Sequence, residues 1–318
     1  MILYDRERAI QRMNTLAKEG KDFIFIINYK ADGAYVEEYA DINPHELLFA
    51  FPSLSNIPEG ESYSNEAVEW HTEPLTRDDY EQRINIVKQR EREGDSYLAN
   101  LTCKIPVHTN LSLHDIFMRS KALYRCWMKE KFVCFSPEIF VRINREGLIS
   151  SFPMKGTIDA TRPDAEKELM ENKKEAAEHA TIVDLIRNDL SIIAEQVQVK
   201  RYRYIDHLTT NKGEILQTSS EITGQLPMDY RENVGTLLFC LLPAGSITGA
   251  PKPRTMEIID EAEGYERDFY TGVMGCYSKG QLDSAVMIRF IDQDKDGQLH
   301  YKAGGGITAQ SNNDDEYK

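Results

Sequence analysis

The sequence predicts an α+β fold rather than a doubly wound parallel sheet. Two observations favour this class: strands and helices follow one another without regular alternation, and hairpin turns dominate the connections between strands. No repeat, low-complexity tract or linker divides the 318 residues. We therefore expect one large unit over residues 1–318, which is long enough to bury a large core.

Hydrophobic spacing and capping residues predict the individual elements in chain order. Before residue 94 we expect a helix over residues 5–18, a buried strand over 23–27, a hairpin turn at 31–33, a loop over 52–66, and a charged helix that Thr76 caps and that ends near Glu93. After it we expect strands and turns over 95–152 with a helix around 113–123, helices through Asp184 and Ile258, and closing strands over 270–278, 282–291 and 299–303.

Charge and cysteine content exclude some classes of partner. The chain has 38 basic and 52 acidic residues and a net charge of −14, which argues against nucleic acid or an anionic membrane as a partner. No signal peptide opens the sequence, and the apolar run at 236–242 is too short to span a bilayer. The five cysteines are scattered and follow no metal-ligand spacing, so we expect reduced, mostly buried thiols and a cytoplasmic location.

A lysine follows a predicted buried strand near the middle of the chain. The strand covers residues 148–152, and Pro153 ends its pairing because proline has no N–H to donate. Lys155 then lies before a Gly-Thr turn, where its side chain can face a cleft. A desolvated lysine can act as a nucleophile, whereas a solvated loop lysine has no such role. These residues alone leave both interpretations open.

Two glutamates lie three residues apart in the predicted helix through Asp184. On a helix, Glu175 and Glu178 project from one face. Two carboxylates at the edge of a buried face suit a hard cation such as Mg²⁺. The alternative is a solvated acidic face that pairs with Lys173 and Lys174.

Glycine-rich segments and one arginine near the end of the chain suggest an anion site. Residues 243–252 contain two glycines and two hydroxyls before a predicted helix, which is typical of backbone anion binding or of an ordinary helix start. The segment is not a Walker loop, because Pro253 stands where serine or threonine would bind the metal. Arg289 is a charge in a predicted apolar strand, so we expect it to have a fixed anionic partner, which a ligand carboxylate would supply. Three glycines at 304–306 follow the last strand and would let a ligand touch the backbone.

Six ordered motifs resemble those of the chorismate-utilising enzymes. The resemblance runs from about residue 94 to the end of the chain. It is carried by segments 135–138, 153–157, 175–190, 219–224 and 245–252, and by Tyr270, Arg289 and the three glycines of the closing strands. It implies an anthranilate synthase component I-like fold, in which antiparallel sheets pack as a sandwich with flanking helices. It also implies one chorismate-binding catalytic domain over residues 1–318, with a shortened N-terminal portion (1–93) and a core (94–318).

Within this family, Lys155 indicates the branch. Members similar to anthranilate synthase and isochorismate synthase carry alanine at this position. A lysine here resembles aminodeoxychorismate synthase component I, in which the lysine attacks C2 of chorismate. Gln217 stands where anthranilate synthases have a histidine associated with pyruvate elimination. The resemblance therefore implies synthesis of 4-amino-4-deoxychorismate from chorismate and ammonia, for p-aminobenzoate and folate. Anthranilate synthase component I and a chorismate-binding protein without turnover are the alternatives.

The resemblance also implies a role for each site residue. Lys155 would be the nucleophile, Glu138 would protonate the departing C4 hydroxyl, and Glu175 and Glu178 would hold Mg²⁺. The residues that would bind the substrate are Thr157, Gly245, Thr248, Tyr270, Arg289, Gly305 and Gly306. Ammonia is expected from a separate glutamine amidotransferase subunit, because the sequence contains no such domain.

The sequence departs from the family pattern in three places. Leu98 stands where many relatives have glutamine, and a further metal-binding glutamate of the family would fall after Lys318. The N-terminal portion is short relative to members that have a tryptophan pocket. Bound tryptophan is therefore not expected.

Overall fold

The computed structural model describes residues 1–60, 66–210 and 213–317, so residues 61–65 of the predicted loop lie outside it. Its strands are β1 (Leu3–Asp5), β2 (Phe23–Ile27), β3 (Gly33–Glu38), β4 (Leu47–Ala50), β5 (Trp70–Thr72), β6 (Leu98–Thr109), β7 (Tyr124–Met128), β8 (Phe132–Ser136), β9 (Ile139–Ile143), β10 (Leu148–Ser151), β11 (Met154–Asp159), β12 (Glu195–Thr210), β13 (Gly213–Gln225), β14 (Gly249–Ala250), β15 (Val273–Ser278), β16 (Gln281–Val286), β17 (Phe290–Gln293) and β18 (Leu299–Ile307). Its helices are α1 (Arg6–Lys18), α2 (Arg77–Arg92), α3 (Leu113–Arg119), α4 (Ala165–Glu171), α5 (Lys173–Ser191), α6 (Val234–Cys240), α7 (Gly245–Thr248), α8 (Lys252–Glu263) and α9 (Asn313–Tyr317).

The strands form two antiparallel sheets. The larger sheet has the order β1-β3-β2-β15-β16-β9-β10-β13-β11, with β12 also paired to β13. The smaller sheet has the order β14-β6-β18-β17-β8-β7-β4, with β5 also paired to β6. Residues before position 94 extend both sheets, because β2 pairs with β15 and β4 pairs with β7.

The two sheets pack face to face around a shared apolar core. Ile24 and Ile26 of the larger sheet lie in one cluster with Phe49 and Phe132 of the smaller sheet, and all four are buried. The neighbouring β2 residues Phe23, Phe25 and Ile27 belong instead to a cluster on the opposite face. Strand β2 is apolar at every position because alternate side chains pack into different layers. The predicted α+β sandwich with antiparallel sheets is confirmed.

Helices cover the outer faces of the sandwich. Buried residues of α1, α5 and α6 pack on the larger sheet, as Met13, Val183 and Leu238 show. On the smaller sheet, Phe117 of α3 packs beside Trp127 and Val133. The helices α2 and α8 share a third cluster with β6 and β18. The longer helices α1, α2, α5 and α8 each bury one stripe of side chains, as amphipathic helices do.

Most predicted helix boundaries are confirmed. The two N-terminal helices have the expected extents, and the Thr76 hydroxyl accepts a hydrogen bond from Asp79 N at 3.2 Å. The helix predicted around 113–123 ends earlier, at Arg119. Helices α4, α6, α7 and α9 were not predicted, because four to seven residues complete too few turns to show helical periodicity.

The strand predicted over 282–291 is wrong as a single element. Its first half is β16, which pairs within the larger sheet, and its last residues belong to β17 in the smaller sheet. The chain changes sheets across residues 287–289, where Arg289 has a φ of 57°. The apolar pattern continues across this crossover because both sheets bury their inner faces, so hydrophobicity alone contains no sign of the break.

The expected state of the cysteines is confirmed. All five are free thiols, and Cys126, Cys134 and Cys276 are buried.

Within the described ranges, no helix combines enough length with enough apolar surface to cross a bilayer.

Glu91 makes stability depend on pH. This α2 residue is 8% exposed, and no side chain among the described residues donates a hydrogen bond to its carboxylate. Burial raises the pKa of Glu91 to about 7. The folded chain keeps this proton to a higher pH than the unfolded chain, so stability falls as pH rises from about 4.5 to about 7. We expect Glu91→Gln to raise the free energy of unfolding by about 1–3 kcal/mol at pH 8, and by less at pH 5.

Urea denaturation at the two pH values measures this effect. Glu93→Gln is the matched control, because Glu93 is the C-cap residue directly after α2 and forms an ion pair with Arg90 near the surface. An equal gain for Glu91→Gln at both pH values would show that ionisation of the buried carboxyl is not the cause.

Candidate active site

A cleft of about 480 Å³ opens where the edges of the two sheets approach each other. This volume lies within the range of small-molecule sites. The predicted site residues that line it are Glu138, Lys155, Thr157, Tyr270, Arg289, Gly305 and Gly306. Leu98 and Gln217, the positions noted for their departure from relatives, also line it.

Lys155 lies in the cleft on β11. The strand register shifts between Lys155 and Thr157, which is a bulge, and Gly156 has the positive φ of 78° that this bulge requires. The Nζ atom of Lys155 is 3.0 Å from Glu178 Oε2, and the lysine side chain is 28% exposed. The structure therefore places this amine in a defined ionic contact at the cleft rather than in bulk solvent.

The two glutamates of α5 lie beside the β11 bulge. Asn172 caps the helix by accepting a hydrogen bond from Glu175 N at 3.1 Å. A Cβ atom added to Gly156 would be 3.0 Å from Glu175 Oε2, so glycine gives this carboxylate room against the strand. Lys174 lies 3.9 Å from Glu178 and is largely exposed, which makes it a weaker partner than Lys155.

This pair of carboxylates fits a magnesium ion. Mg²⁺ prefers oxygen ligands and commonly binds through one or two carboxylates, with water and substrate oxygens completing its shell. Among the described residues, no group of three or more His, Cys, Asp or Glu side chains is placed to hold a metal. Glu175 and Glu178 therefore suit a cation that the substrate helps to bind.

Glu138 has the environment of a general acid. It lies between β8 and β9, and its Oε1 accepts a hydrogen bond from Ser246 Oγ at 2.5 Å. Burial raises the pKa of the Glu138 carboxyl above its ordinary value, and the Ser246 bond and the charges of Arg289 and Lys155 oppose that rise. A raised pKa favours the protonated form that a general acid needs.

Tyr270 and Arg289 form one side of the cleft. Tyr270 is 3% exposed, and its ring packs on Phe290 with 5.7 Å between the centroids. Arg289 lies at the sheet crossover rather than inside a strand, and its side chain is exposed. It forms no ion pair with another described residue. The guanidinium is thus open to a ligand anion, and no carboxylate in the described part of the chain takes the place of the expected fixed partner.

The three glycines lie inside β18 rather than after it. Strand β6 pairs with the whole of β18, whereas the pairing of β17 reaches only Lys302. Beyond that residue, one edge of β18 faces the cleft. A Cβ atom on Gly305 would meet no atom within 4 Å, and one on Gly306 would lie 3.6 Å from Lys155 Nζ. Ligand atoms can therefore approach the backbone at both positions.

Gly245 and Thr248 do not reach the cleft, contrary to the prediction. Gly245 is buried, and a Cβ atom there would be 2.9 Å from Leu185 Cδ2. Thr248 is fully buried and donates a hydrogen bond to Ala244 O at 2.9 Å. The two residues are three apart and share the inner face of α7, while Ser246 between them lines the cleft.

A sequence profile of chorismate binding enzymes matches residues 4–318. The chain belongs to the chorismate binding enzyme family. It is 42% identical over 309 residues to an uncharacterized PabA-like protein of Pasteurella multocida (strain Pm70), a match that covers 97% of this chain and 95% of that protein. It is 33% identical over 266 residues to aminodeoxychorismate synthase component 1 of Salmonella typhimurium. That match covers 77% of this chain and 55% of the Salmonella protein.

A solved structure shows the same fold as this chorismate binding enzyme. Anthranilate synthase component I from Streptococcus pneumoniae TIGR4 superposes with a TM-score of 0.69 at 21% sequence identity. The match covers 94% of this chain and 78% of the other. The expected family fold is confirmed.

Several cleft residues of this chorismate binding enzyme were not predicted individually. Asn100, Thr271 and Lys302 line the cleft but belong to no motif that the sequence analysis singled out. Lys302 is 2% exposed and forms an ion pair of 2.6 Å with Asp292. Side chains alternate between the two faces of a strand, and this alternation along β18 places Lys302 on the buried face. A lysine predicted to be buried is a sign that it has a fixed partner.

The glycines of β18 allow a matched comparison of substrate binding and folding. A methyl group on Gly305 would extend into open cleft, whereas one on Gly304 would lie 2.4 Å from Thr102 Cγ2. We expect Gly305→Ala to raise the KM for chorismate about tenfold without changing the melting temperature. We expect Gly304→Ala to lower the melting temperature by several degrees. Steady-state kinetics and thermal unfolding measure the two effects, and unchanged chorismate kinetics in Gly305→Ala would place the ligand elsewhere.

Proposed function

We propose that this chorismate binding enzyme converts chorismate and ammonia to 4-amino-4-deoxychorismate. The observation that carries the proposal is the position of the Lys155 amine. It lies 3.0 Å from the Glu178 carboxylate and 3.6 Å from the point where a Gly306 Cβ atom would be. An amine between the Glu178 carboxylate and an open glycine strand is placed to meet a carboxylate-bearing ring in the cleft.

Lys155 acts as the nucleophile in this proposal. Its neutral amine attacks C2 of the ring, both conjugated ring double bonds shift, and the C4–O bond breaks. Glu138 donates the proton with which the hydroxyl leaves as water. Ammonia then forms a bond to C4, and the C2–N bond to Lys155 breaks as both ring double bonds return to their first positions. The proton released from the added nitrogen restores Glu138.

The carboxylates of α5 would bind the ring carboxylate of the substrate through a magnesium ion. Glu175 and Glu178 would hold Mg²⁺, and a bound Mg²⁺ supplies positive charge that neutralises and polarises the substrate carboxylate. Lys155 must leave its ion pair with Glu178 before its amine can lose a proton. Glu178 thus holds the Lys155 side chain at the cleft until substrate is bound.

The opposite side of the cleft binds the enolpyruvyl carboxylate. Arg289 supplies an exposed guanidinium, and Tyr270 a phenol beside it. Gly305 and Gly306 have no side chain to keep ligand atoms from the backbone of β18, and Thr157 adds a hydroxyl at the β11 bulge. Paired donors of this kind favour a planar carboxylate.

Gln217 supports a reaction that ends before pyruvate is eliminated. Its amide lines the cleft opposite Thr157 on the paired strand. An amide neither gives nor takes a proton near neutral pH, so Gln217 cannot act as an acid or base. Anthranilate synthesis, the second candidate function, would need another group to take that role.

Ammonia is proposed to come from a separate glutamine amidotransferase subunit. The similar protein of Salmonella typhimurium has component 1 in its name, which indicates an enzyme with more than one component. With the isolated chain, we expect ammonium salts to support turnover and glutamine not to. Turnover with glutamine alone would contradict the need for a partner.

Product analysis tests the proposed function. The enzyme is incubated with chorismate, ammonium chloride and MgCl₂, and the products are separated and identified by mass. We expect 4-amino-4-deoxychorismate, which a lyase then converts to p-aminobenzoate. Anthranilate or isochorismate as the main product would overturn the branch assignment, and unchanged chorismate would indicate binding without turnover.

A covalent adduct tests the role of Lys155 separately. In chorismate and MgCl₂ without ammonia, the intact protein should gain the mass of chorismate less one water. The Lys155→Ala variant should gain nothing. An adduct in that variant would assign the covalent bond to another residue.

A further inference from the structure

A buried ion pair lies directly behind the cleft, outside the residues assigned above. The side chains of Glu263, at the end of α8, and Arg267 are each 1% exposed. They meet through two contacts, Nη2 to Oε1 at 2.6 Å and Nε to Oε2 at 2.9 Å. Glu263 Oε1 also accepts hydrogen bonds from Thr102 N at 2.7 Å and Thr102 Oγ1 at 2.8 Å. The Glu263 carboxylate, which Thr102 holds in place, therefore fixes the plane of the Arg267 guanidinium.

The remaining N–H groups of Arg267 hold three segments of the cleft wall. Its Nη2 donates to Asn100 O at 2.5 Å, on β6. Its Nη1 donates to Ile247 O of α7 at 2.9 Å and to Thr271 Oγ1 at 3.2 Å. All three of these residues line the cleft. One guanidinium thus joins parts of the wall that are far apart in the sequence.

The segment that contains Tyr270 adopts a conformation that needs such support. Thr271 has a φ of 60° and Asp268 a φ of 54°. A β-branched residue seldom occupies this left-handed region unless its surroundings hold it there. The Thr271 hydroxyl, which accepts from Arg267, donates to Tyr270 O at 2.6 Å. The position of Tyr270 in the cleft therefore depends on the same guanidinium.

The hydrogen bond from Arg267 to α7 connects Arg267 indirectly to Glu138. Arg267 holds the carbonyl group of Ile247, and the preceding residue, Ser246, donates its hydroxyl to Glu138 Oε1. The other charged groups whose fields act on Glu138 are Arg289 and Lys155. Since Ser246 is the group bonded to the Glu138 carboxylate, movement of α7 would act on that carboxylate first.

We propose that Arg267 is a positioning residue that holds Ser246 against Glu138 and thereby sets the pH range in which Glu138 carries its proton. The proposal rests on the proposed function in one respect, the role of Glu138 as the general acid. A hydrogen bond to the ionised carboxyl stabilises that form and lowers the pKa of Glu138 against the effect of burial. Loss of the contact should therefore raise this pKa.

Arg267→Lys is the informative substitution. Lysine keeps the charge opposite Glu263 but lacks the planar fork that reaches three further acceptors. We expect the alkaline limb of kcat/KM for chorismate consumption to move upward by about one pH unit, because the protonated acid persists to higher pH. We expect the same shift in Ser246→Ala, and no additional shift when the two substitutions are combined.

A second arginine provides the matched control. Arg142 binds Asp283 at 2.9 Å and Tyr124 at 2.8 Å, and none of these three residues lines the cleft. Arg142→Lys should lower the melting temperature without moving the pH profile. The proposal is overturned if Arg267→Lys behaves in this way, or if the shifts of Arg267→Lys and Ser246→Ala add in the double variant.

Direct titration separates this inference from the identity of the product. Chorismate consumption is followed whatever product forms, so an error in the branch assignment leaves the comparison intact. The ionisation of Glu138 is also measured by ¹³C NMR on glutamate-labelled protein, with Glu138→Gln identifying its resonance. If Arg267→Lys does not fold, Glu263→Gln takes its place. An unshifted Glu138 titration in the folded variant refutes the proposal, and an upward shift supports it.

Discussion

Replacing Lys155 with alanine should reduce ammonia-dependent turnover of chorismate about a thousandfold or more. The reason is that the proposed reaction proceeds through a bond between this amine and the ring, and alanine leaves no nucleophile. The contact of 3.0 Å with Glu178 shows that the side chain already lies at the cleft. The measurement is kcat at saturating ammonium and MgCl₂, with product identified by mass.

Two variants separate chemistry from charge. Lys155→Arg keeps a cation opposite Glu178 but supplies no amine that attacks at neutral pH, so it should be nearly as inactive as alanine. Lys174→Ala removes the more distant, exposed cation near the same glutamate and should keep most activity. If Lys155→Ala retains the rate, or if arginine restores it, Lys155 acts only as a counter-ion and the proposed mechanism is wrong.

Glu138→Gln should lower kcat by about 10²–10⁴-fold, the usual contribution of a positioned general acid. Glutamine fills nearly the same volume and can still accept the Ser246 hydrogen bond, but it has no proton to give. Because burial raises the pKa of Glu138, the wild-type rate should fall as pH rises through that raised value. The variant should lose this alkaline limb. Rate profiles across pH, with buffers matched in ionic strength, measure both effects.

Glu221→Gln is the corresponding control. Glu221 bonds to Lys200 at 3.0 Å and Arg201 at 3.1 Å on the β12–β13 hairpin, outside the cleft lining. It should leave both kcat and the pH profile unchanged. A Glu138→Gln enzyme with the wild-type alkaline limb would show that another group gives up the proton.

Local sequence signals predicted the N-terminal helices well, whereas the long strands β12 and β13 were not predicted. The helix caps and hydrophobic stripes of α1 and α2 act between residues three or four apart, so the sequence contains all the information that they need. The continuous apolar run of β2 likewise indicates burial on both faces. Short helices and the crossover at 287–289 were missed, because their conformation depends on packing against distant strands.

The candidate site was predicted from ordered motifs more than from physical pattern. Lys155, Glu138, Arg289 and the glycines of β18 line one cleft, as the resemblance implies. Gly245 and Thr248 belong to the same kind of motif, yet they face the interior. Within a motif, the sequence does not distinguish a glycine that gives a ligand room from one that lets two elements pack.

The α+β class, the buried strands, the capped helices and the motifs that resemble a chorismate-utilising enzyme can all be inferred from the sequence. Which of these residues meet depends on how the two sheets pack. Lys155 faces Glu178 across a bulge, Ser246 reaches Glu138, and Arg267 joins three segments of the cleft wall. The physical reason is that strand order and register across two sheets set these distances, and pairing partners far apart in the chain leave no local signal.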